Sequence, residues 1–154
     1  FIMPTEGGLP KRLTYHSAAD NISSWTYQDQ ILFSTVREFR QAERPAEVYA
    51  IAANGGTEKR ILDAVGFEPV YSPDGRYIVF VRGDINPVAR KDYKGSSNRE
   101  LWLYDTRSKT YQLLNATPAN DISPQWGKDN TLFFLSSESG EYNLYRMKIG
   151  GEGK

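Results

Sequence analysis

Tyr71-Ser72-Pro73-Asp74-Gly75-Arg76-Tyr77-Ile78-Val79-Phe80-Val81 is the stretch on which the fold turns. Pro73 pre-sets φ and Gly75 accepts a positive φ, so Ser-Pro-Asp-Gly predicts a tight turn. The flanks are aromatic and β-branched, and Ile78, Phe80 and Arg82 alternate with Val79 and Val81. They read as two antiparallel strands joined at the turn. Moving outward, the same arrangement returns twice. Trp25 stands 8 residues before Phe33 of Ile31-Leu32-Phe33, and Trp126 stands 8 before Phe134 of Leu132-Phe133-Phe134. Tyr71 stands 9 before Phe80 of Ile78-Val79-Phe80.

These matches belong to a longer repeat. Gly7-Gly8 returns as Gly55-Gly56, and Lys11-Arg12-Leu13 as Lys59-Arg60-Ile61, both at an offset of 48. Each apolar triplet is followed by an alternating segment: Glu47-Val48-Tyr49, Glu100-Leu101-Trp102 and Asn143-Leu144-Tyr145. Each repeat therefore predicts four short strands, a to d, which in the second repeat cover about 69–72, 77–82, 100–105 and 111–114. Asn54-Gly55 marks the c–d turn of the first repeat. No window carries a helical apolar period over 11 or more residues, so essentially no helix is expected.

Four antiparallel strands in every ~40–50 residues define a β-propeller blade, and the predicted fold class is all-β. A lone four-stranded sheet leaves both faces open to water, whereas stacked blades bury them. That accounts for 10 Tyr, 7 Phe and 3 Trp without a ligand, and it places Trp25, Trp102 and Trp126 between blades. The predicted organisation is one partial propeller: residues 1–14 as outer strand(s) of a preceding blade, 22–62 and 67–114 as blades, and 122–149 as an incomplete blade. A closed ring takes about 4–8 blades. The expectation is a piece of a longer protein, completed by the remaining blades of its parent, or six blades made by two copies through strand addition.

Composition excludes several chemistries. The 19 Lys+Arg balance the 19 Asp+Glu, so neither bulk nucleic-acid binding nor a polybasic membrane contact is expected. No apolar run approaches the ~20 residues of a membrane span, and no membrane insertion is expected. There is no Cys and one His, which leaves no thiolate nucleophile, disulfide or His cluster. His16 with Asp20 lacks a nucleophile on a strained turn, Asp84 and Asn86 lack the later ligands of a calcium loop, and Glu138 and Glu141 flank a solvated turn. No catalytic residue, metal site or cofactor is expected in this chain.

Loop lengths point to a face. Phe33 to Tyr49 is 16 residues, Phe80 to Trp102 is 22 and Phe134 to Tyr145 is 11, so insertions fall in the b–c loop. The b–c and d–a loops share one end of a blade. In the second b–c loop, Arg82, Arg90, Lys91, Lys94 and Arg99 stand against Asp84 and Asp92, with Tyr93 among them. Arg forks suit carboxylates, so Arg82, Arg90, Lys91, Tyr93, Lys94 and Arg99 are the candidate peptide- or protein-binding residues. The competing reading is a solvated loop whose arginines pair with a neighbouring blade. Lys11-Arg12 and Lys59-Arg60 read as charges guarding outer strand edges.

Tyr71 to Val81 resembles the WD40-like "PD40" repeat of the TolB propeller and the tricorn-type peptidases, as do Gly7 to His16 and Trp126 to Met147. The b–c insertion Arg90-Lys91-Asp92-Tyr93-Lys94-Gly95, ahead of Asn98-Arg99-Glu100-Leu101-Trp102, is more similar to the N-terminal propeller of tricorn-like S41 serine peptidases. The first and third repeats depart from the full turn, reading Thr26-Tyr27-Gln28-Asp29 and Gly127-Lys128-Asp129-Asn130. The resemblance implies a non-catalytic propeller segment that binds or gates peptide or protein substrates while another domain cuts. It also tilts the expected compartment towards the extracytoplasmic side. The alternative is a TolB-like scaffold for protein–protein interaction with no enzymatic parent.

Overall fold

A computed structural model describes residues 1–38, 46–84, 95 and 97–150. Among these residues eleven strands form three antiparallel sheets. The first holds β1 (Asp20–Trp25), β2 (Gln30–Thr35), β3 (Glu47–Ala52) and β4 (Lys59–Val65) in that order. The second holds β5 (Phe67–Tyr71), β6 (Tyr77–Arg82), β7 (Glu100–Asp105) and β8 (Thr110–Leu113) in order. The third holds β9 (Asp121–Trp126), β10 (Thr131–Ser136) and β11 (Asn143–Lys148), so β11 is an edge among the described residues. Among those residues there is no helix. The all-β, blade-like architecture is the one the repeats predict.

The deciding hairpin forms as its residues dictate. Ser72 N–H donates to Tyr77 O at 2.8 Å and Gly75 N–H to Ser72 O at 2.9 Å, with Gly75 at φ 68°. Asp74 Oδ1 accepts from the Ser72 hydroxyl and from Arg76 N–H, and Ser72 Oγ accepts from Tyr77 N–H at 2.9 Å. The turn is thus held by side chains as well as backbone.

Alternation along β6 explains how the sheets stack. Ile78 and Phe80 enter a cluster with Val48 and Leu62 of the first sheet, on which Trp102 and Tyr71 also pack. Tyr77, Val79 and Val81 enter the opposite cluster with Leu132 and Phe134 of the third sheet, on which Trp126 packs. The middle sheet therefore buries both faces, and strict alternation gives β6 five consecutive buried residues. On β10, Leu132 and Phe134 are buried, while Phe133 and Leu135 on the other face are half-buried.

The far face of the first sheet is covered differently. Leu13, with Ile2 packed beside it, closes a cluster of Ile31, Phe33, Tyr49 and Ile51. Residues 1–14 make one isolated antiparallel bridge, Ile2 to Lys11. Trp25 is 57% exposed, with Nε1–H donating to Asp29 Oδ1 at 3.2 Å. Its counterparts Tyr71 and Trp126 each pack against the preceding sheet. Trp25 faces the side on which no preceding sheet is described.

Gly66 alone links the first sheet to the second, between Val65 and Phe67. Its N–H donates to Ala46 O at 2.7 Å. A Cβ there would overlap the Phe80 ring and stand 2.9 Å from the Val81 carbonyl oxygen, which the sheet holds fixed. Gly66→Ala is expected to destabilise by about 2 kcal/mol through overpacking. Urea denaturation checks this; a cost under about 0.5 kcal/mol would mean that the inter-sheet link has room to move.

Candidate functional site

The innermost strands β1, β5 and β9 open their sheets in sequence order, and β5 packs against both others. All three run from the loop-bearing end towards the a–b turns. Their registers break near the start, at Ile22/Ser24 in β1, Phe67/Val70 in β5 and Ile122/Gln125 in β9. Such bulges re-aim side chains, and Glu68 and Ser123 adopt φ 53° and 54° there. Ser24 Oγ–H donates to Pro69 O at 3.0 Å, and Ser123 N–H donates to Glu68 Oε2 at 2.6 Å. The three sheets are thereby tied together along their inner edge.

At the loop-bearing end, a cleft of about 650 Å³ opens between the first and second sheets. Ala46, Val36, Ile22 and Phe67 supply its apolar wall, and Glu68 and Arg99 its charges. Of the predicted binding residues, Arg99 reaches this cleft. It is 8% exposed, its guanidinium lies 4.8 Å from the Phe67 ring centre, and its Nε–H donates to Asp84 O at 3.0 Å. Arg82 lies instead over Trp102, 5.1 Å from the ring centre, on the face turned to the first sheet. The structure therefore does not bring these two arginines together. Arg90, Lys91, Tyr93 and Lys94 lie outside the described residues.

The most developed charge network was not legible in the sequence. Arg37, with its side chain 7% exposed, pairs with Asp20 at 2.8 Å and with Glu58, and stacks over Phe33 and Tyr49, each 5.3 Å away. Burial alone would raise the Asp20 carboxyl, but Arg37, Thr14 and Thr35 outweigh it and hold Asp20 below its ordinary value. Glu47, 0% exposed, accepts the backbone N–H groups of Arg37 and Glu38 and so fixes the start of the first b–c loop. Glu38 in turn pairs with Arg60 at 2.9 Å and accepts the Tyr49 hydroxyl at 3.0 Å. Burial first, then the Glu38 carboxylate, pushes the Tyr49 hydroxyl up to about 12.

Other candidates resolve into structural roles. His16 Nδ1 accepts Ala18 N–H at 3.0 Å, and Asp20 beside it is committed to Arg37. Lys11 Nζ donates to Asn54 O at 2.5 Å, and Arg60 Nε to Leu62 O at 3.0 Å, so these cations hold turns and ion pairs instead of merely guarding an edge. No group of three or more potential metal ligands occurs among the described residues.

Comparing repeats exposes a second buried carboxylate. Asp20 pairs across the sheet with Thr35 as Asp121 does with Ser136, an offset of 101. Arg37 is replaced at that offset by Glu138. Asp121 is 1% exposed; Oδ2 accepts Asn115 Nδ2–H at 2.8 Å, and Oδ1 has no partner among the described residues. Burial raises its pKa; Ser136 and Asn115 oppose this, while Glu138 and Glu100 add to it. A raised value means that the fold favours the protonated acid and that this contribution is lost as pH rises through it. Asp121→Asn is therefore expected to stabilise by about 1 kcal/mol at neutral pH, with the gain shrinking in acid. Paired urea melts at neutral and acidic pH check it; a loss of stability at neutral pH would show that the charge is compensated.

The stacked sheets and the whole length of the chain agree with one known family. The family model of the Tricorn protease N-terminal beta propeller domain matches residues 1–153. The chain belongs to that family. A Tricorn protease homolog of Saccharolobus solfataricus is 26% identical over 153 residues, covering 98% of this chain and 14% of the relative. The structure of a puromycin-hydrolyzing peptidase of Mycobacterium tuberculosis matches with a TM-score of 0.59 at 15% identity, over 88% of this chain and 21% of that one. At that identity the structural likeness speaks for the fold. This Tricorn-type propeller chain thus spans a small part of the proteins it matches.

Proposed function

We propose that this chain is a non-catalytic propeller segment of a peptidase-type protein, and that it binds or gates peptide substrates at its loop-bearing end. Family membership carries the reading. The cleft supports it, because an apolar wall of Ile22, Val36, Ala46 and Phe67 stands beside polar groups such as Asn21, Thr35, Glu68 and Arg99 that can orient a ligand. The cationic b–c loop, with Arg82, Arg90, Lys91, Tyr93, Lys94 and Arg99, would meet the acidic or C-terminal groups of a peptide. Further blades, from the parent chain or from a second copy, would complete the propeller. The outward side of β10, where Phe133 and Leu135 are half-buried, and the exposed Trp25 offer apolar surface for them.

The test is peptide hydrolysis by the intact protein after replacing Arg90, Lys91 and Lys94 by Ser. The expected result is a KM several-fold higher for long peptides, with kcat on a minimal chromogenic substrate unchanged. Equal KM values for long peptides would overturn the assignment of these residues, and an intact protein without peptidase activity would overturn the peptidase reading.

A further inference from the structure

We propose that the cleft between the first two sheets takes the free amino terminus of a peptide, with the Glu68 carboxylate as its counter-ion. This rests on the peptide-binding reading and names the group recognised. Glu68 sits at the bulge of β5 with φ 53°, between buried Phe67 and Pro69, so its backbone has little freedom to re-aim the side chain. One oxygen, Oε2, accepts Ser123 N–H at 2.6 Å, which fixes the carboxylate at the inner edge. No ion pair is made by Glu68 among the described residues. A carboxylate already held in place binds a cation with little further ordering cost.

The surroundings select an ammonium that belongs to a peptide. Ile22, Val36, Ala46 and Phe67 form an apolar wall beside Glu68 that would receive the first side chain. The cleft, about 650 Å³, has room for more than a lone cation. β1 is an end strand of its sheet, so it presents a backbone edge that no further strand pairs among the described residues, where an extended peptide can hydrogen-bond. The cleft's cation, Arg99, stacks on Phe67 and donates Nε–H to Asp84 O, leaving Glu68 to meet the ligand's positive charge.

The experiment compares two fluorescent tetra-alanine peptides, one with a free amino terminus and one acetylated, by anisotropy on the intact protein. The free peptide is expected to bind at least tenfold more tightly. Glu68→Gln, which retains an acceptor for Ser123 N–H, should abolish that difference. Equal binding of the two peptides to the unaltered protein overturns this inference and leaves the peptide reading standing. Binding of neither peptide overturns both. Carbodiimide coupling of the free peptide to the unaltered protein gives an answer independent of how the variant folds: mass mapping should find the new amide at Glu68, and coupling confined to other carboxylates overturns the assignment.

Discussion

Phe80→Ala should destabilise the chain by about 3–5 kcal/mol, the range for a fully buried aromatic. Phe80 is 0% exposed and sits where the first two sheets meet, among Val48, Leu62 and Ile78. Tyr111 meets its ring edge-on with centres 6.2 Å apart, and Gly66 leaves its Cα bare to admit the ring. Removing the ring empties a space walled by two sheets, neither of which can collapse without disturbing its own hydrogen bonds. Phe80→Leu keeps most of the volume and should cost under about 1.5 kcal/mol. Hydrogen exchange of the β6 amides reads the effect locally in the intact protein. A Phe80→Ala cost under about 1 kcal/mol would mean that this face of the second sheet is not closed by the first.

Arg37→Met is the second large effect, expected at about 3 kcal/mol. Methionine keeps much of the packing over Phe33 and Tyr49 but leaves Asp20 and Glu58 facing each other without a cation. Breaking a buried pair costs more than the pair contributes, because the abandoned charges remain desolvated. The sign with pH follows from Asp20. Its lowered value means that its stabilising contribution is present above the ordinary carboxylate range and disappears as pH falls through the folded value. The difference between Arg37→Met and the unaltered chain should therefore narrow in acid. Thermal melts across that range provide the check, and a difference that does not change with pH would place the effect in packing rather than charge.

The hairpin at 71–81 was legible because each signal in it is local: a proline, a glycine and an Asp within one turn, then strict alternation. The stacking of sheets was legible because an alternating strand buried on both sides reads as continuous apolar sequence, as in Tyr77 to Val81. Trp25 is exposed for a physical reason. The repeat assigns its position, but burial at that position depends on a sheet on the preceding side. The Arg37 network escaped notice because Asp20, Arg37 and Glu58 come from three different segments and have no common spacing. Aligning the repeats at an offset of 101 gives the one available signal, since Asp20 and Asp121 correspond while Arg37 and Glu138 carry opposite charges. The bulge that re-aims Glu68 is likewise invisible before the strands pair, because Phe67-Glu68-Pro69-Val70 contains no glycine to announce a positive φ.

The claim that peptides are handled at the loop-bearing end is tested most directly by hydrogen exchange on the intact protein with and without a peptide ligand. Slowed exchange is expected in the amides of residues 17–19, 21–23, 34–36 and 67–68, which line the cleft. Slowing confined to the opposite end, at the turns 26–29, 72–76 and 127–130, or no slowing anywhere in the chain, would contradict it.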